Sequence, residues 1–154
     1  LNPLKQHYAY ILIDCPPSLG MLTINALSAA DNILIPVQAQ YLPAKGMTKL
    51  LNTIGKVKHQ INPKVDILGV AITLANMQTN LGKSTVETIR ENYGKHIKVF
   101  NSIIPIGVKA AEASVSGKSV YQHAKDSNVA KAYEDLTKEI TKIERSKHKG
   151  TPER

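Results

Sequence analysis

The residue best suited to chemistry is Asp14, in the stretch "YILIDCPPSLG" (10–20). Residues 10–14 are apolar up to the aspartate and read as a buried strand ending in a carboxylate. In open parallel sheets, ligands gather beyond the carboxyl ends of strands. A carboxylate leaving such a strand can hold magnesium through a water molecule, as in nucleotide hydrolases. Pro16 and Pro17 stiffen the exit. Ser18 and Gly20 shape a loop whose backbone can approach a phosphate. On these residues alone a plainer alternative stays open: Asp14 caps a helix beginning near Met21, or faces water.

A second stretch, "NMQTNLGKSTVET" (76–88), carries the letters that close a phosphate-binding loop. Such a loop needs glycine, four residues, then Gly-Lys-Ser/Thr, because the first glycine makes the tight turn from which backbone N–H groups wrap the phosphates. Five positions before Gly82 stands Met77, and residues 76–81 hold no glycine. The stretch therefore reads as an ordinary helix start, with Thr79 or Asn80 as cap. Gly117-Lys118-Ser119 fails in the same way, with Glu112 at the required position. Cys15, the single cysteine, has no histidine in its loop and is expected to point into the core as a small apolar group. His7, His59, His96, His123 and His148 show no metal-ligand spacing and read as surface positions.

The elements that would position Asp14 follow from hydrophobic patterning. Residues 10–14, 33–37, 67–74 and 99–104 are short, continuous apolar runs, the mark of strands covered on both faces. Between them, 44–61, 81–93 and 127–144 repeat apolar residues every three or four positions, as amphipathic helices do. The mostly apolar stretch 21–30 suits a helix packed on a sheet. Gly94 is a plausible helix stop, and Pro36, Pro43 and Pro63 punctuate the joins. Strands alternating with helices predict an α/β fold: a mostly parallel sheet with helices on both faces. Glu134 stands four residues before Lys138, a pairing for an exposed helix face.

The chain has 154 residues, 42% of them hydrophobic, enough for one core. Its net charge of +8 favours phosphate-rich partners such as DNA. Lys45, Lys49, Lys56 and Lys58 form either a solvated face or part of a DNA-facing surface. No apolar run is long enough to cross a bilayer, and no leader pattern is present, so a cytoplasmic protein is expected. The tail, 144–154, is polar, lacks an apolar face and is expected to be disordered. Residue 1 is leucine, and a strand-like run begins within ten residues, so the sequence reads as part of a longer chain.

The stretch "YAYILIDCPPSLG" (8–20) resembles the ParA/Soj branch of the deviant phosphate-loop ATPases, which also includes MinD-like proteins. There the second acidic strand commonly reads Tyr-Asp-Tyr-Ile-Ile-Ile-Asp-Cys-Pro-Pro-Ser-Leu-Gly. Residues 22–54, 67–94 and 104–120 are similar to the family's following blocks in the same order, and the resemblance covers roughly 8–143. It implies a phosphate-loop NTPase-like fold, with 1–143 as the C-terminal part of the ATPase domain and the phosphate loop ahead of Leu1. It further implies that Asp14 is the catalytic, magnesium-linked acid and that 15–20, with Pro16, Pro17 and Gly20, form the switch sensing the terminal phosphate. Pro105 would lie near the adenine, and Lys109 would contact DNA. Ile106 stands where many relatives have arginine, and Ser114-Val115 replaces a proline-containing pair. In complete form such a protein binds ATP and magnesium, forms a homodimer, binds DNA without sequence preference, associates with the nucleoid and answers to a ParB-like partner. The alternative is a non-catalytic relative acting as a DNA- or protein-binding module. A membrane role is not expected, because the tail has no apolar face.

Overall fold

The computed structural model describes residues 1–39 and 44–149. They form α1 (Asn2–Lys5), α2 (Met21–Ala29), β1 (Asn32–Gln38), α3 (Ala44–Gln60), β2 (Asp66–Ala75), α4 (Asn80–Tyr93), β3 (Val99–Pro105), α5 (Val108–Val115), α6 (Val120–Ala124) and α7 (Asn128–Lys149). The strands make one sheet in the order β1-β2-β3. β2 and β3 are parallel. β1 runs the same way, since Asp66 donates to the Asp31 carbonyl at its start and Ala39 donates to the Thr73 carbonyl at its end. The residues divide into two compact units, 1–33 with 44–67 and 34–39 with 68–149.

In the first unit α2 contacts α3, and Leu27 of α2 and Met47, Ile54 and Val57 of α3 are buried. The spacing of Met47, Ile54 and Val57 along α3 is the helical periodicity seen in the sequence. Asn62, just past α3, donates to the carbonyls of Leu27 (3.2 Å) and Ala30 (2.8 Å) and so satisfies acceptors at the end of α2.

In the second unit, Leu68, Ala71, Phe100, Ile104, Val129 and Leu136 form a core to which Ala132, Ile140 and Ile143 add. α7 thus lays its apolar stripe on β3. Two irregularities shape the sheet. Val70 and Ile72 of β2 pair with Val99 and Ile103, so β3 carries extra residues there. Between Ile72 and Ala75 the excess is on β2, and Leu74 takes a left-handed φ of 51°. Glu139 of α7 accepts from the N–H groups of Asn101 (3.0 Å) and Ser102 (2.6 Å) and from the Ser102 hydroxyl. Arg90 of α4 donates to the carbonyls of Phe100 (3.1 Å) and Asn101 (3.2 Å). One acid and one base thus take up the backbone groups that the irregular strand leaves outside its ladder.

Four expectations change. Residues 10–14 form no strand: Leu12 is 94% exposed and Ile13 42%. An apolar run becomes a strand only where neighbours take its N–H and C=O groups and other layers cover its faces. The described sheet contains β1, β2 and β3 and leaves 10–14 out. Pro36 is not a join but sits within β1. Among the described strands β1 is an edge, and since Ala39 bonds toward β2, the alternation puts Pro36 on the other side, where a missing N–H costs nothing. Leu81, which opens the apolar repeat expected to give 81–93 a buried face, is instead 76% exposed. It lies in the first turn, ahead of the stripe formed by Val86 and Ile89. Finally, α7 continues to Lys149, into the tail, because extending a helix is far easier than starting one. The rest of the tail and Pro43 lie outside the described residues.

Candidate functional site

Asp14 opens an exposed loop that ends at Gly20, the N-cap of α2. Gly20 has no side chain to offer the helix, and its carbonyl accepts from Ile24 N at 3.1 Å. The buried Thr23 hydroxyl donates back to the Ser18 carbonyl and pins the loop to the helix. The helix cap is therefore Gly20, and Asp14 faces water. Asp14, Cys15 and Pro16, together with Leu22, Ala26 and Ala29 of α2, line an open concavity of about 390 Å³. Pro17 and Gly20 belong to the same loop without lining the concavity. Cys15 is exposed, not in the core, with Sγ 3.8 Å from the Ile13 carbonyl. Like 10–14, this segment lies outside the described sheet.

Asp14 is the one carboxylate among the concavity's lining residues. Among the described residues no three His, Cys, Asp or Glu side chains gather as a metal cage. Magnesium demands six oxygens and commonly keeps waters and phosphate oxygens among them. A single carboxylate therefore fits an ion carried in with a nucleotide and does not fit a structural ion held by protein alone. The start of α2 adds partly positive N–H groups to the same loop.

The other expected site residues belong to the second unit. Pro105 ends β3 opposite Ala75, and Ile106 continues the ladder by donating to the Ala75 carbonyl at 3.1 Å. Lys109 stands in the first turn of α5, and its Nζ lies 2.8 Å from Glu112 Oε2. The same oxygen lies 3.0 Å from His123 Nε2 on α6. The hydrogen bond from Lys109, then that from His123, holds the Glu112 carboxyl below its ordinary range. On α3, Lys49 and Lys56 are exposed, and Lys58 pairs with Asp66 at 3.2 Å. Glu134 and Lys138 pair at 2.8 Å as the spacing predicts.

Both phosphate-loop look-alikes have local explanations. Thr79 caps α4, its hydroxyl oxygen accepting from Gly82 N at 3.0 Å. A Cβ on Gly82 would fall 1.9 Å from the Asn76 carbonyl oxygen, so this glycine serves a tight helix entry. At the other look-alike, Gly117 has φ +63° and donates to the Ser114 carbonyl, while Lys118 donates to that of Ala113. That is a Schellman stop for α5. Ser119 then begins α6 with a capping box shared with Gln122.

A family model described as an AAA domain matches residues 1–67. The sporulation initiation inhibitor protein Soj of Bacillus subtilis is 42% identical over 140 residues, 91% of this chain and 54% of that protein. The chromosome partitioning protein ParA of Caulobacter vibrioides is 36% identical over 140 residues, again 91% of this chain and 52% of its own. The chain thus spans about half the length of the curated relatives it matches. Among solved structures, cobyrinic acid a,c-diamide synthase from Mycobacterium smegmatis, with bound ATP analog and magnesium, superposes with a TM-score of 0.70 at 29% identity, covering 86% of this chain and 47% of that one. Apo McdA from Cyanthece gives 0.73 at 20% identity, covering 88% and 54%, a likeness of fold alone. The fold is α/β, of the phosphate-loop NTPase-like class.

Proposed function

We propose that this homologue of the Soj and ParA chromosome-partitioning proteins supplies the acidic loop and a DNA-facing surface to a partition ATPase. The observation that carries the reading is collinear similarity to Soj over 140 residues. It is supported by a lone carboxylate poised on a pinned loop at a helix start. In complete form the protein would bind ATP and magnesium, dimerise, bind DNA without sequence preference and respond to a ParB-like partner. Asp14 would hold magnesium through water, and the 15–20 backbone would face the terminal phosphate. Pro105 would border the base. Bound magnesium would neutralise phosphate charge.

The 154 residues contain no Gly-x-x-x-x-Gly-Lys-Ser/Thr segment. Phosphoryl transfer rests on positioning and charge neutralisation, so without such a segment the chain alone should not turn over ATP. The test joins the portion of Bacillus subtilis Soj that this chain does not match to the front of Leu1. Magnesium-dependent ATP turnover by that fusion, and none by the 154-residue chain, is the expected result. Rapid turnover by the chain alone, or none by a folded fusion, would contradict the reading.

A further inference from the structure

Between Glu91 and Asp126 the chain carries Lys95, Lys98, Lys109, Lys118 and Lys125 and a single carboxylate, Glu112. One oxygen of that acid, Oε2, lies 2.8 Å from Lys109 Nζ on α5 and 3.0 Å from His123 Nε2 on α6. An ionised carboxylate only accepts, so the histidine nitrogen facing it carries a proton and donates. Two N–H donors from two helices thus converge on one oxygen atom. The Glu112 carboxyl is lowered first by the Lys109 hydrogen bond and then by that from His123, so the place between them favours negative charge. The side chains of Lys109 and Glu112 are 55% and 42% exposed, and that of His123 is 26% exposed. An exposed ion pair of this kind is held weakly, and a displaced Glu112 carboxylate regains water.

We propose that Lys109 and His123 form a two-donor seat for a phosphate oxygen, and that Glu112 occupies it as an internal competitor until phosphate displaces it. A phosphate oxygen accepts the same charge-assisted hydrogen bonds as a carboxylate oxygen. His123 is thereby a second binding residue beside Lys109, and Glu112 sets the affinity by competing for both. Two sources share this chemistry, the DNA backbone and free phosphate. Five lysines with no other acid among them favour the backbone, since each lysine that neutralises a DNA phosphate releases counterions. DNA as the natural ligand rests on the proposed DNA-facing surface; the seat itself rests on the geometry of α5 and α6.

Fluorescence anisotropy of a labelled mixed-sequence duplex tests the seat on the 154-residue chain. Inorganic phosphate is the second probe, read by the NMR shift of the His123 ring proton Hε1. Glu112→Gln should tighten duplex binding about 5-fold. Glu87→Gln removes the same charge at an exposed position on α4 and should change binding less than about 2-fold. In the Glu112→Gln chain, His123→Ala should then weaken binding about 3-fold, while His123→Gln, which keeps an N–H donor, should retain most of it. Thermal unfolding establishes that each variant is folded. Duplex binding that depends on Lys109 but is equal in the parent, Glu112→Gln and His123→Ala chains would overturn the seat and leave the DNA reading standing. A saturable phosphate shift of Hε1, larger in Glu112→Gln, without duplex binding would uphold the seat, assign it to free phosphate and sink the DNA reading. A folded Glu112→Gln chain that answers to neither probe would overturn both.

Discussion

At the scale of single residues, the polar contacts that hold the second unit come from side chains far apart in sequence. Glu139 is the clearest. Partial burial pushes its carboxyl up, but the Ser102 hydroxyl, the N–H groups of Asn101 and Ser102, and Lys98 push it down further, for a net lowering from 4.5. A carboxylate held low in the folded state contributes stability above its unfolded value, and that contribution is lost as pH falls through the folded one. Glu139→Ala should cost about 0.5–1.5 kcal/mol at neutral pH by removing these hydrogen bonds, read by urea unfolding. Glu139→Gln should flatten the acid limb of the stability profile. A limb as steep as in the parent would show that Glu139 is not its source. Lys109 gives a different prediction. If it contacts phosphate, Lys109→Ala should weaken DNA binding uniformly across sequences and reduce the salt slope by about 1. An unchanged slope would remove Lys109 from the interface.

At the scale of elements, helices were the legible part of the sequence, because their evidence is local. The apolar spacing of Met47, Ile54 and Val57, and of Val129, Leu136 and Ile140, marks the faces that pack. The start of α4 was legible to within one residue, as Thr79 or Asn80, and the cap is Thr79. Thr79→Ala should cost about 1 kcal/mol. Gly117→Ala, at a left-handed position ending α5, should cost about 1–2 kcal/mol. Both are read by thermal or urea unfolding, and a neutral effect would mean that the cap is not formed. Lys83→Ala, by contrast, should leave stability within about 0.5 kcal/mol, since Lys83 is exposed on a helix. Strands were less legible. The pattern of 10–14 states what the run would bury, not whether anything is there to bury it. The brackets on β3 were invisible too: Glu139 sits among lysines on a helix and reads as a solvated charge, and its partners lie 37 and 38 positions away.

At the scale of the whole molecule, the candidate site is half legible. Asp14, Pro16 and the loop to Gly20 lie ahead of α2 in the first compact unit. Pro105 and Lys109 lie in the other compact unit. The chain is homologous to proteins about twice as long as the stretch it matches, and among its described residues no helix is long and apolar enough to cross a membrane. The central claim is that the Asp14 carboxylate holds the magnesium of an ATP site once the rest of such a protein is present. Magnesium-dependent ATP turnover by the Soj fusion and its Asp14→Asn variant tests it most directly. The account predicts a fall of at least about 100-fold in the variant, with the fold intact by circular dichroism; turnover equal to that of the parent fusion would contradict it.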